Sequence, residues 1–290
     1  MNTLAIGLII ISGLVHLTKD LFIKRAQEKE IFVTLYLISA LIISLPYSLY
    51  FLSQETFQLH DLFLVIPSGL VHGLYIISMA KAYKTGDLSH IYPIVRCSPI
   101  FVLILATIFL NEQISQLAII GILITTFGIY IINAKSLHPK TLLEPLRSIK
   151  NEPASRLALL ALAMSSSYFI IDKLGVTRFH PFSYIAMIQF FTLIFVVPYI
   201  LQKYHTSQIK TEWQNNKKQI LTAGVFDLIS YSTGLMAVAL ATVSQVATLR
   251  QFTVVLAVII GHKILKEAHI KIRLLASAII IAGLILVSLN

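Results

Sequence analysis

Three basic side chains, Lys19, Arg96 and Arg250, fall inside long apolar stretches of this 290-residue chain, and His72 and Asp227 fall inside two more. A charge in hydrocarbon is costly, so such residues mark either a pathway for a solute or a permanent internal pair. Arg96 stands eight residues beyond Leu88 and Arg250 nine beyond Ala241. At about 1.5 Å per residue, both approach the middle of a core roughly 30 Å thick, at about the level of His72 and Asp227. Two readings follow. In one, an arginine pairs with Asp227 and locks the bundle. In the other, the planar guanidinium fork of at least one arginine grips an anionic solute. Two arginines against one mid-depth aspartate make a transient anion a plausible missing partner.

Tyr92 and Arg96 are four apart, on one helical face, while Pro93 and Pro99 remove backbone hydrogen bonds around them. Such a break exposes carbonyls to a cavity or only shapes packing. Tyr75, Tyr168, Gln189, Tyr231 and Gln245 offer aromatic and amide contacts, or pack between helices. Asp20 and Asp172 lie towards the ends of corresponding spans. They suit a pair of gates, with Lys19 or Lys24 facing Asp20 and Lys173 or Arg178 near Asp172, or simple surface ion pairs. His16, one turn before Asp20, and His72 are candidates for a proton relay, as imidazoles in general are, or hydrogen-bond a neighbouring helix, and Asp227 is a further proton-site candidate. The single cysteine, Cys97, excludes an intramolecular disulfide. No metal cluster, nucleotide-binding loop, HExxH motif or nucleophile elbow is present, so the sequence predicts neither cofactor nor enzyme.

The elements that must position these residues are ten apolar stretches, 3–23, 31–52, 62–83, 88–110, 115–134, 156–176, 181–202, 218–239, 241–263 and 270–289. Each has about the 20 residues a membrane-crossing helix needs. With 57% hydrophobic residues, 12% charged and a mean hydropathy of +0.82, the composition excludes a soluble domain. Gly69 and Gly224, Glu112 and Glu267, and Gly128 and Gly283 are each 155 apart, which marks a duplication with five spans per copy. An odd number of spans inverts the second copy in the membrane. The expected fold is therefore an all-α polytopic membrane protein of ten helices in two inverted repeats: 1–134, a cytoplasmic linker over 135–155, and 156–290. The linker carries Pro139, Pro145 and Pro153, and its Leu142–Ile149 portion suits either an amphipathic helix or a solvated loop. Lys203–Lys218 reads as a loop with Trp213 at headgroup level. Met1–Ile11 lacks a basic leader region and a cleavage site, which predicts a first helix rather than a signal.

The net charge of +10 does not point to nucleic acid, because the basic residues are spread over short loops. Loops after the odd-numbered spans hold eighteen of them, from Lys24, Arg25 and Lys29 to Lys263, Lys266, Lys271 and Arg273, whereas the opposite side holds Lys173 and Arg178. The positive-inside rule then places both termini away from the cytoplasm.

Ser12-Gly13-Leu14-Val15-His16 through Lys24-Arg25, the run Ala82–Arg96 with its Gly86-Asp87-Leu88-Ser89 and Tyr92-Pro93, and Leu249-Arg250-Gln251 through Leu265-Lys266-Glu267 carry a resemblance. Over its whole length the chain resembles the drug/metabolite transporter superfamily, specifically its EamA-type members. It is similar to a subgroup partly associated with phosphonate utilisation, in which Trp-Asn is usual where Lys19 and Asp20 stand here. Many superfamily members of known orientation have cytoplasmic termini, the reverse of what the loop charges predict for this chain. The resemblance implies carrier-type transport of a small polar metabolite, often amino-acid- or nucleotide-like, in an inner membrane. The expected site is His72, Tyr75, Tyr92, Arg96, Asp227, Tyr231, Gln245 and Arg250, with His16, Lys19, Asp20 and Asp172 as gates or coupling groups. Its partners are a small-molecule substrate, the bilayer, and a proton or counter-substrate, in a monomer or homodimer. A flippase for lipid-linked intermediates and an exporter of quaternary ammonium compounds are the alternatives.

Overall fold

The computed structural model describes residues 2–85, 88–132, 134, 136–265 and 270–289, without the side chains of residues 24, 83, 88–90, 92, 260–265 and 270. The described residues are helical with no strand among them. The first repeat supplies α1 (Thr3–Arg25), α2 (Lys29–Ser53), α3 (Leu62–Thr85), α4 (Leu88–Arg96), α5 (Ser98–Leu110) and α6 (Gln116–Ile131). A linker helix, α7 (Pro139–Asn151), follows. The second repeat supplies α8 (Pro153–Arg178), α9 (Pro181–Lys203), α10 (Thr206–Leu240), α11 (Val243–Leu249), α12 (Phe252–Leu265) and α13 (Ile270–Ser288). Among the described residues, eight helices are long and apolar enough to cross a membrane, and Gln116–Ile131 and Val243–Ile259 are shorter apolar helices. Together they account for the ten stretches, with α4 and α5 forming the fourth and α11 and α12 the ninth. Large side chains such as Phe63 and Ile108 stand exposed on the outside, as lipid-facing residues do.

Two segments differ from or sharpen the sequence reading. The expected loop Lys203–Lys218 is helical from Thr206, with a kink at Asn216 (φ −123°, ψ 16°). The segment is tied down, because Asn216 donates to the buried Glu212 carboxylate at 2.8 Å and the Glu28 backbone N–H donates to it at 3.3 Å. Trp213 accordingly packs beside Ala26, Phe32 and Tyr36. In the linker, where a helix and a loop were both open, α7 forms. The His138 ring caps its first turn, and Tyr130 donates its hydroxyl hydrogen to the Leu142 carbonyl.

The helices gather into two compact units, each drawing on both repeats. One contains residues 4–77 and 171–240, and so holds α1 from Leu4, α2, α3 as far as Ile77, the end of α8 from Ile171, α9 and α10. Here Gly69 and its repeat mate Gly224 have matching tasks. A Cβ on Gly69 would lie 2.4 Å from Phe191 Cβ on α9, and one on Gly224 would lie 3.0 Å from the Tyr36 carbonyl on α2. The third span of each repeat thus packs closely on the second span of the other. Only a residue without a side chain permits that approach.

The other unit contains residues 1–3, 78–170 and 241–290. Within it, the mates α6 and α13 cross at glycine. A Cβ on Gly121 would meet the Gly283 carbonyl at 2.7 Å, and one on Gly128 would meet Ile280 at 2.7 Å. Contacts advance along α6 as they retreat along α13, so these equivalent helices are antiparallel, as inversion of the second repeat requires. Gly283→Ala should therefore lower thermal stability by about 1–3 kcal/mol through overpacking. Gly7→Ala, at a position with nothing within 4 Å, should leave the melting temperature level or slightly raised. Equal melting temperatures for the two variants would contradict the close crossing.

Candidate functional site

Lys19 reaches from α1 to α10, where its ammonium donates to Asp227 Oδ1 at 2.7 Å. Both residues are buried. The Gln189 amide on α9 donates to the other carboxylate oxygen at 3.2 Å, and the lysine ammonium sits 5.1 Å from the centre of the Tyr36 ring on α2. Four helices thus converge on one neutralised pair. The same two helices, α1 and α10, are also joined at Ser12 and Ser230, each hydroxyl donating to the other's backbone carbonyl at 2.6 and 2.9 Å. The arginine partner that the sequence offered to Asp227 is corrected here to Lys19, whose long stem brings a charge from a helix remote in sequence.

A second cluster surrounds Asp172 on α8. The Tyr231 hydroxyl on α10 lies 2.5 Å from Asp172 Oδ2 and 2.8 Å from His72 Nε2 on α3. Ser68 and Tyr184 donate to Asp172 Oδ1 at 3.2 and 3.3 Å, and His72 Nε2 stands 4.0 Å from the carboxylate. Tyr184 is fully buried against Gly175, where a Cβ would fall 2.0 Å from its ring. The two clusters are mates under the duplication. His72 holds the repeat position of Asp227, whereas Asp172 falls at Leu17 under the same offset, two residues from Lys19 on the corresponding first span. Acid and base have exchanged helices between the two.

Arg96 and Arg250 belong to the other unit, at kinks in the fourth and ninth spans. Arg96 is the last residue of α4, between Pro93 and Pro99, and the Cys97 N–H turns back to the Ile94 carbonyl. The kink at Arg250 involves no proline. There Thr248, Gln251 and Thr253 side chains bond the carbonyls of Ser244, Ala247 and Arg250, and the backbone tightens to bonds three residues apart. The Arg250 guanidinium lies over the Phe169 ring, 5.9 Å from its centre. Glu112, beyond the end of α5, fixes the start of α11 by accepting from the Val243 N–H at 2.6 Å and the Ser244 hydroxyl at 2.9 Å. The repeat-marking glutamate is thus a helix cap. Its mate Glu267 lies outside the described residues, as do Gly86, Asp87 and Lys266 of the sequence motifs.

Of the remaining expected residues, Tyr75 is half-buried on α3 and Gln245 is buried on α11. The side chains of Tyr92 and Lys24 lie outside the described residues. His16 Nε2 is 3.5 Å from Asp20 Oδ2. The proposed gate partners of Asp172 are engaged elsewhere. Lys173 donates to the Val238 carbonyl, and Arg178 holds Asp61 through two nitrogens at 2.8 and 2.9 Å. Sequence reasoning missed Ser68, Tyr36 and Tyr184. Their only signal was burial-prone polarity at helical spacing, which many packing residues share.

The EamA-like transporter family model matches residues 3–134 and 154–289, one match per repeat. The chain belongs to this family. It is a multi-pass membrane protein and a transporter of the drug/metabolite type. Twenty-eight solved chains match the fold. One, a crystal structure 14% identical in sequence, superposes with a TM-score of 0.76 over 100% of this chain and 98% of its own. No curated protein sequence matches the chain.

Removing one member of a buried ion pair strands the other. Lys19→Met should therefore cost about 3–5 kcal/mol of stability, with Lys19→Met/Asp227→Met recovering most of it. Melting temperatures of the purified variants in detergent measure this. A double variant no more stable than the single would show that the pair is not coupled.

Proposed function

We propose that the protein is a secondary carrier for a small polar organic metabolite, anionic or zwitterionic, working by alternating access in the inner (plasma) membrane. Arg250 carries this reading. A guanidinium resting on an aromatic face keeps its planar N–H fork for a carboxylate or phosphonate, and this one stands at a kink in a membrane span. Arg96 holds a comparable place in the first repeat. A cationic cargo would instead need an uncompensated acid, and Asp227 is already matched by Lys19. Tyr231, which with Tyr75 and Tyr92 would form a quaternary ammonium site, has its hydroxyl engaged with Asp172 and His72. The flippase reading rests on the basic loops and on the breadth of the superfamily.

Thermal-shift measurements with amino acids, dicarboxylates, phosphonates and nucleotides, each beside its amide or ester, test the substrate class, because a ligand of the folded state raises apparent stability. The acids should stabilise and the neutral analogues should not. Arg250→Gln should lose the response with little change in the unliganded melting temperature, and Arg250→Lys should recover only part of it. Stabilisation by quaternary ammonium compounds, more sensitive to Tyr75 or Tyr231 substitution than to Arg250, would overturn the anion reading. Uptake of the stabilising solute by proteoliposomes, with no lipid-linked cargo moved, separates carrier from flippase.

The eighteen-to-two loop asymmetry supports non-cytoplasmic termini. A C-terminal alkaline phosphatase fusion should be active and a green fluorescent protein fusion dark. The opposite result in both would reverse the orientation.

A further inference from the structure

The hydrogen bonds around His72 fix where its protons are. Its Nδ1 lies 2.9 Å from the Ser68 carbonyl oxygen, which only accepts, so Nδ1 carries a hydrogen. Its Nε2 lies 2.8 Å from the Tyr231 hydroxyl, and that hydroxyl lies 2.5 Å from Asp172 Oδ2. Two links therefore run from carboxylate through phenol to imidazole, and each needs one proton. Tyr231 supplies one. The second sits either on Asp172, which then donates to the phenol while the phenol donates to Nε2, or on His72, which donates to the phenol while the phenol donates to the carboxylate. The two forms differ only by a shift of protons along the links and contain the same total. Without that extra proton, the phenol donates to the carboxylate and the Nε2 lone pair faces the oxygen lone pairs, so the His72 link opens.

We propose that Asp172, Tyr231 and His72 form a one-proton site whose occupancy ties α3 to α8 and α10 through side chains. Water supplies and accepts the proton, and no bond other than those to hydrogen is made or broken. The groups facing Asp172 are Ser68 and His72 from α3, Tyr184 from α9 and Tyr231 from α10, with Lys173 of its own helix turned to the Val238 carbonyl. The acid one turn before Tyr231, Asp227, is paired with the Lys19 ammonium at 2.7 Å and bonds none of these three groups in the described contacts. Of the two repeat-related clusters, one is fixed by a permanent ammonium and the other is switchable. This inference does not rest on the nature of the cargo, and its test needs none.

The full-length protein in lipid nanodiscs, labelled with ¹⁵N in histidine and ¹³C in aspartate carboxyls, is titrated with acid, and the His72 signal is assigned by its loss in His72→Gln. Asp172 and His72 should report one shared midpoint, with the Nε2 hydrogen bond lost above it and Asp227 unchanged across it. Asp172→Asn should lower the His72 midpoint by about one pH unit or more, because the amide donates to the phenol without an extra proton and holds His72 neutral. Asp20→Asn should leave it in place. Separate midpoints for Asp172 and His72 in the unsubstituted protein would overturn the proposal, as would a His72 midpoint indifferent to Asp172→Asn.

Discussion

Hydrocarbon offers no partner to a charge, so Lys19 on the first helix and Asp227 on the tenth must find each other within the protein. At 2.7 Å they do, and the meeting joins helices whose contacting residues are 208 apart in the chain. Replacing such a pair by apolar residues of similar volume is often neutral, so its presence is better read as a constraint on which helices meet than as a store of stability. Gln189 and Tyr36 complete its surroundings from α9 and α2, so two helices of each repeat commit to a single point.

The duplication makes that constraint recur. Each repeat presents a glycine on its third span to the second span of the other, and each places a polar residue on that same third span opposite the first span of the other. One copy uses a lysine and an aspartate in direct contact at 2.7 Å. The other uses a histidine, a tyrosine and an aspartate, whose hydrogen bonds depend on a mobile proton. Divergence after duplication has left an ion pair and a hydrogen-bonded acid, phenol and imidazole between the first and third spans of opposite repeats.

Much of the fold was legible because membrane crossing leaves a strong one-dimensional record: ten stretches of about the right length, a constant 155-residue offset and one-sided loop charge. The fourth-span kink was equally plain from Pro93 and Pro99. The ninth-span kink was hidden, since it arises from Thr248, Gln251 and Thr253 bonding to backbone carbonyls, and those residue types also occur in straight helices. Partner choice was hidden too. By depth Arg96 and Arg250 were the candidates for Asp227 and Lys19 was set against Asp20, whereas the partner is decided by which helices pack side by side, a long-range property with no local signature. The helix at Thr206 was missed because its charged residues resemble a loop, whereas Glu212 inside it is buried and bonded.

Crossed packing of this kind depends on the two repeats lying in the membrane with opposite orientation. The most direct test places single cysteines, in a Cys97→Ser background, at the corresponding positions Gln54, after the second span, and Thr206, after the seventh. An impermeant maleimide applied to intact cells with an opened outer layer should label Gln54→Cys and spare Thr206→Cys until the membrane is permeabilised. Labelling of both positions from the same side would contradict the inverted architecture on which the pairing of Lys19 with Asp227 and of His72 with Asp172 depends.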